Sequence, residues 1–184
     1  MLEGVNKKLE PADYCLQNLR TLASDAGGFA HIPLERQQAM RANLDCFFFE
    51  VMSAKDFFLQ GINDAYGRLL PKDECTFKTS ELKRLLNSVD DNASEVVAKI
   101  ESLLGTKNSW LWQLNNYRNA ATHRELLHMG YVAGTSSGRV EAHLFKDPED
   151  GKKGNMDTEV VPYCEQALEK MTSFLKGLYC QLRI

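Results

Sequence analysis

No stretch of this sequence approaches the ~18 consecutive apolar residues that would span a bilayer. The opening MLEGVNKKLEP is polar and leads into no apolar core, so a secretory signal is not expected either. Strong charge of one sign is also missing. The net charge is −3, so no global basic field draws nucleic acid to the chain, and any RNA contact requires a local basic patch. Cysteine is present without a framework. Cys15, Cys46, Cys75, Cys164 and Cys180 are odd in number and form no CxxC pair, which argues against a zinc site or a set of disulfides. All five are expected to be reduced, small, mostly packed side chains of a cytoplasmic protein.

The usual signatures of ligand chemistry are missing as well. Gly134 to Gly138 lacks the Gly-Lys-Ser/Thr ending of a phosphate-binding loop and reads as a turn. Asp147, Glu149 and Asp150 lack the regular ligand spacing of a calcium loop. His31 stands in a loop, His143 in a strand, and His123 and His128 are five apart, a poor metal spacing on a helix. No metal and no cofactor is therefore expected. Lys152-Lys153 is too short for a nucleic-acid patch, Asn92-Ala-Ser94 is a glycosylation match without meaning in a cytoplasmic chain, and Asp45 and Glu50 read as exposed helix positions. Internal repeats, low-complexity tracts and heptad arrays are absent.

What is present is apolar periodicity at three and four residues, on a chain long enough for one domain with its own core. Pro11 is expected to open a first helix carrying Leu16, Leu19, Leu22 and Ala23, ended by Gly27-Gly28. A long central helix follows from about Leu34 to Tyr66, with Met40, Leu44, Phe47, Phe48, Val51, Phe58 and Ile62 on its stripe and Phe49 and Phe57 off it; Gly67 and Pro71 mark its exit. Thr79 or Ser80 is the expected cap of a short helix with Leu82, Leu85 and Leu86. Asp90-Asp91-Asn92 breaks the chain before a helix with Val96, Val97, Ile100 and Leu103, closed by Gly105. Asn108 or Ser109 opens a helix to about His128. From Tyr131 to Val161 a small β-hairpin excursion is expected, with Arg139 to Phe145 and Thr158 to Val161 as strands. Pro162 opens the last helix, whose face carries Cys164, Ala167, Leu168, Met171, Phe174, Leu175, Leu178 and Leu182. The expected fold is all-α, an antiparallel bundle of five to six helices with that excursion before the last.

The segment from Ser109 to His128 is unusual. At ~100° per residue, Trp110, Leu114, Tyr117, Ala121 and His128 share a core stripe. Asn115, Arg118, Asn119, Thr122 and His123 spread over the opposite arc, with Asn119 and His123 one turn apart. Leu111 and Trp112 precede this polar arc and Leu126 follows it, which suggests a surface meant to be covered, with these three at a dimer interface.

Arg118-Asn119-Ala120-Ala121-Thr122-His123 resembles the R-x(4–6)-H motif of the HEPN superfamily (higher eukaryotes and prokaryotes nucleotide-binding domains), in which a polar residue often follows the Arg, as Asn119 does here. The resemblance implies a helical bundle, a homodimer with two such motifs facing across a cleft, and an Arg118/Asn119/His123 catalytic site supported by Asn115 and Thr122. Many members are metal-independent endoribonucleases, often toxins of toxin–antitoxin systems; others are non-catalytic dimerisation or binding modules, some paired with a nucleotidyltransferase. The residue types suit the chemistry. A histidine near neutral pKa moves the proton of the RNA 2′-OH, and a guanidinium grips the phosphate. A basic rim beside His123 would favour cleavage, and an acidic or occluded rim would favour the module.

Overall fold

The computed structural model describes residues 1–24, 32–122, 129–133, 140–144 and 158–182. Among the described residues are six helices: α1 (Leu2–Ser24), α2 (Leu34–Ala65), α3 (Thr79–Leu86), α4 (Asp91–Gly105), α5 (Trp110–Thr122) and α6 (Val160–Tyr179). Three short strands, β1 (Met129–Ala133), β2 (Val140–Leu144) and β3 (Thr158–Glu159), form an antiparallel sheet in the order β1-β2-β3 just before α6. The fold class is the all-α bundle expected from the sequence. The sheet begins two residues earlier than anticipated, with Met129 opposite Leu144, and Val160 and Val161 belong to the helix rather than to a strand.

α1 and α2 pack as an antiparallel hairpin, joined by an Asn18 Nδ2 to Asn43 Oδ1 hydrogen bond of 2.9 Å. Pro11 does not open α1; it lies inside it. A proline there has no N–H to give the preceding turn and costs the helix about 3 kcal/mol. The helix runs through because the buried stripe Val5, Leu9, Ala12, Cys15, Leu16 and Leu19 continues across the proline and anchors both halves on the core. Gly4 lies directly beneath the Phe57 ring, where a Cβ would collide with it, so this glycine is what lets the hairpin close at that end.

α2 is the central helix, buried along Met40, Leu44, Phe47, Phe48, Val51, Met52, Phe58, Leu59 and Ile62. It ends in a complete Schellman motif. Gly67 takes φ 87°, its N–H bonds Asp64 O at 3.2 Å, and the Arg68 N–H reaches back to Asn63 O at 2.8 Å. The buried Asn63 amide then clamps the following loop, donating to Leu70 O at 2.8 Å and accepting from Leu70 N at 3.0 Å.

The start of α3 differs from expectation, and that of α4 falls at the expected polar break. Lys78, not Thr79 or Ser80, stands at the N-cap of α3, without a side-chain cap. Asp90 is the cap of α4, accepting from Asn92 N at 2.8 Å and Ala93 N at 3.2 Å, and its other oxygen accepts from Tyr66 OH at 2.6 Å. Gly105 is the last residue of α4, and Thr106, in extended conformation, is its C-cap. Ser109 does cap α5, accepting from Trp112 N at 3.1 Å.

The core is closed by aromatics from three helices. The rings of Phe48 and Tyr117 stack 5.0 Å apart, and Tyr163 stands edge-on to Tyr117 at 5.5 Å, joining α2, α5 and α6. Trp110 meets Phe174 edge-on at 5.4 Å. Ala142 and Leu144 of β2 are buried, and β2 packs on α1 and α6. Among the described residues no helix is long and apolar enough to cross a membrane.

Candidate functional site

α5 is positioned from below by Leu111, Leu114 and Tyr117, all buried. Leu111, expected at a dimer interface, is instead fully enclosed in the core of the single chain. It lies three residues before Leu114 and six before Tyr117, so it extends their stripe by one turn. Trp112 is half-buried, with the Lys107 Nζ 5.9 Å from the centre of its ring, at the outer range of a cation–π contact. Leu126 and His123 lie outside the described residues, and so does His128.

The polar side of α5 is less open than the sequence suggested. Asn115, Asn116, Arg118 and Asn119 are all half-buried. Arg118 turns toward α2, where its Nη1 donates to Asp56 Oδ2 at 3.0 Å. The second oxygen of Asp56 pairs with Lys55 Nζ at 2.6 Å. The result is a bridged cluster of two cations on one carboxylate, with the side chains of Lys55, Asp56 and Arg118 exposed by 4%, 23% and 18%. Thr122 is the last residue of α5, one turn on from Arg118. Asn116 Nδ2 is buried without a hydrogen-bond partner.

Lys55 and Asp56 are the residues that the sequence reading did not single out. Lys55 had a signal. It falls four residues after Val51 and three before Phe58, on the buried stripe of α2, where a charge survives only if it is paired. Asp56 had none, because its partner Arg118 is 62 residues away.

Carboxylates elsewhere on α2 are also less exposed than expected. Asp45 and Glu50 are both half-buried. Asp45 Oδ1 has no hydrogen-bond partner, and burial pushes this carboxyl above its ordinary value, with nearby Arg41 pulling the other way. Three cysteines (Cys15, Cys75, Cys164) are buried and two (Cys46, Cys180) are exposed. Among the described residues no group of three or more His, Cys, Asp or Glu is gathered as a metal site.

Chemically, the cluster holds a guanidinium in a fixed place. Asp56 anchors one edge of the Arg118 fork, and Lys55 supplies a second positive charge in a largely dry setting, where a field acts more strongly than in water. No protein-family model matches the chain, and neither does any curated protein or solved structure.

Proposed function

We propose that the α2–α5 seam belongs to a HEPN-like endoribonuclease that cuts RNA without a metal, acting as a homodimer with two copies of the site near the two-fold axis. The observation that carries the proposal is the Lys55–Asp56–Arg118 cluster, which holds the motif arginine in a fixed place at the α2–α5 seam. In this reading Arg118 binds the scissile phosphate and stabilises charge on the phosphorane. His123 takes the proton of the 2′-OH, which attacks phosphorus. The 5′-oxygen of the next nucleotide leaves and is protonated, and a 2′,3′-cyclic phosphate remains. Asn119, four residues before His123 in sequence, orients the imidazole or the substrate, with Asn115 and Thr122 as further polar neighbours. Trp112 and Leu126 meet their symmetry mates across the C2 interface.

A second reading rests on the same cluster. Arg118 is mostly covered and its charge is balanced by Asp56, which favours a non-catalytic dimerisation or ligand-binding module, partnered by a nucleotidyltransferase or, for a toxin, by an antitoxin. One experiment separates the two. Single-stranded RNA is incubated with the protein in EDTA and at low salt, beside His123→Ala. Cutting by the wild type alone, with cyclic-phosphate ends, supports the nuclease. Cutting that requires Mg²⁺ or persists in His123→Ala refutes this mechanism, and no RNA binding at low salt favours the module.

A further inference from the structure

The register of the α1–α2 hairpin sets two thiols against each other. Asn18 and Asn43 are hydrogen-bonded across the helices at 2.9 Å. Cys15 stands three residues before Asn18, and Cys46 stands three residues after Asn43. In an antiparallel pair, one turn back on one helix and one turn forward on the other leads from one facing pair to the next. Eleven residues further along the same register, Gly4 lies under the Phe57 ring, so the two helices are closely apposed along this whole seam. Cys15 and Cys46 therefore fall on facing turns of the two helices, near enough for the Cys46 thiol to bear on Cys15. One of them is buried and the other is exposed.

We propose that Cys15 and Cys46 are a thiol–disulfide modification site, oxidised by a low-molecular-weight disulfide that reacts first at exposed Cys46 and closing a covalent tie between α1 and α2. The steps balance with oxidised glutathione as the oxidant. The Cys46 thiolate attacks one sulfur of the glutathione disulfide, forming a mixed disulfide and expelling one glutathione thiolate. Cys15 then gives up its proton to solvent and attacks the Cys46 sulfur, expelling the second glutathione. Two protein thiols lose two electrons, and one glutathione disulfide gains them.

The asymmetry of burial sets the order of events. Burial, the Cys46 contact and nearby Glu50 push the Cys15 thiol up to about 12, so it cannot be the sulfur that meets the oxidant. Closure by Cys15 is the slow step, and it speeds up about tenfold for each pH unit near neutrality, as its thiolate fraction grows. A rival link exists inside the fold, because the fully buried Cys164 lies near Cys15. Cys75 is removed from the pair, its Sγ donating to the Lys72 carbonyl at 3.1 Å.

The test uses the full chain with excess oxidised glutathione, quenched with an alkylating agent and read by intact mass and peptide mapping. Loss of two hydrogens and a cross-link between the Cys15 and Cys46 peptides are expected, with closure accelerating as pH rises. Cys46→Ser, at an exposed position, should fold normally and abolish the loss of two hydrogens; Cys164→Ser should leave it. A Cys15–Cys164 link, a lasting glutathione adduct on Cys46 while Cys15 remains alkylatable in the unfolded chain, disulfide-linked dimers through Cys46, or closure in Cys46→Ser would each overturn the proposal.

Discussion

Replacing Asp56 by Ala removes the counter-charge of two cations at once. The Lys55 side chain is only 4% exposed, so its ammonium is left in the core stripe of α2 with neither water nor a carboxylate. Breaking a buried ion pair from one side costs about 3–5 kcal/mol, because the stranded charge carries the full desolvation penalty. Asp56 and Arg118 are exposed by 23% and 18%, so water can partly solvate the guanidinium, and the lower end of that range, about 3 kcal/mol, is the expected cost. In a chain of this size that corresponds to a Tm lowered by roughly 6–12 °C. Urea unfolding should show a lower midpoint at unchanged slope. The partners should behave differently. Lys55→Met refills the apolar stripe while Asp56 keeps Arg118, so it should cost under about 1 kcal/mol. Arg118→Ala leaves Asp56 paired with Lys55 and should cost about 1–2 kcal/mol. Lys55→Met introduced into Asp56→Ala should restore most of the loss, since the stranded charge is gone. An Asp56→Ala protein within about 1 kcal/mol of wild type, or the absence of rescue by Lys55→Met, would refute the reasoning.

On the nuclease reading, Arg118→Ala and His123→Ala should each lower EDTA-resistant RNA cleavage by about 10²–10⁴-fold, with Asn119→Ala less affected, measured by the appearance of cyclic-phosphate ends. Phe58 is fully buried, and Phe58→Ala should cost about 3–5 kcal/mol in urea unfolding; an unchanged midpoint would remove it from the core. Asp90→Ala loses both the α4 cap and the Tyr66 hydrogen bond and should cost about 1–2 kcal/mol by the same measurement. Because burial raises the Asp45 carboxyl, the folded protein keeps that proton to higher pH than the unfolded chain does. Stability is therefore lost as pH climbs from the ordinary aspartate range through the raised value. Asp45→Asn should be more stable than wild type at neutral pH and indistinguishable from it in acid; a constant difference across the titration would contradict the assignment.

The helical class and most of the helix positions were legible in the residues, because a 3.6-residue apolar period and a Gly, Ser or Asp at its edge are local signals. The stripes of α2 and α6, the Gly67 exit and the Ser109 cap all follow from such signals. Local signals failed where long-range packing outweighed them. Pro11 reads as a helix start, yet the core takes up Val5 and Leu9 before it and Leu16 and Leu19 after it, and that burial outweighs one missing hydrogen bond. Leu111 reads as spare apolar surface, yet the packing of α5 against α2 and α4 encloses it. The charge cluster divides along the same line. Lys55 on an apolar stripe announces by itself that a buried charge needs a partner. Which partner it takes, and that Arg118 shares it from 62 residues away, depends on where α5 crosses α2. The facing of Cys15 and Cys46 likewise depends on the register between two helices. Periodicity determines which face of each helix is apolar; the rotation and slide that bring two faces together are set only by the packing of the whole bundle.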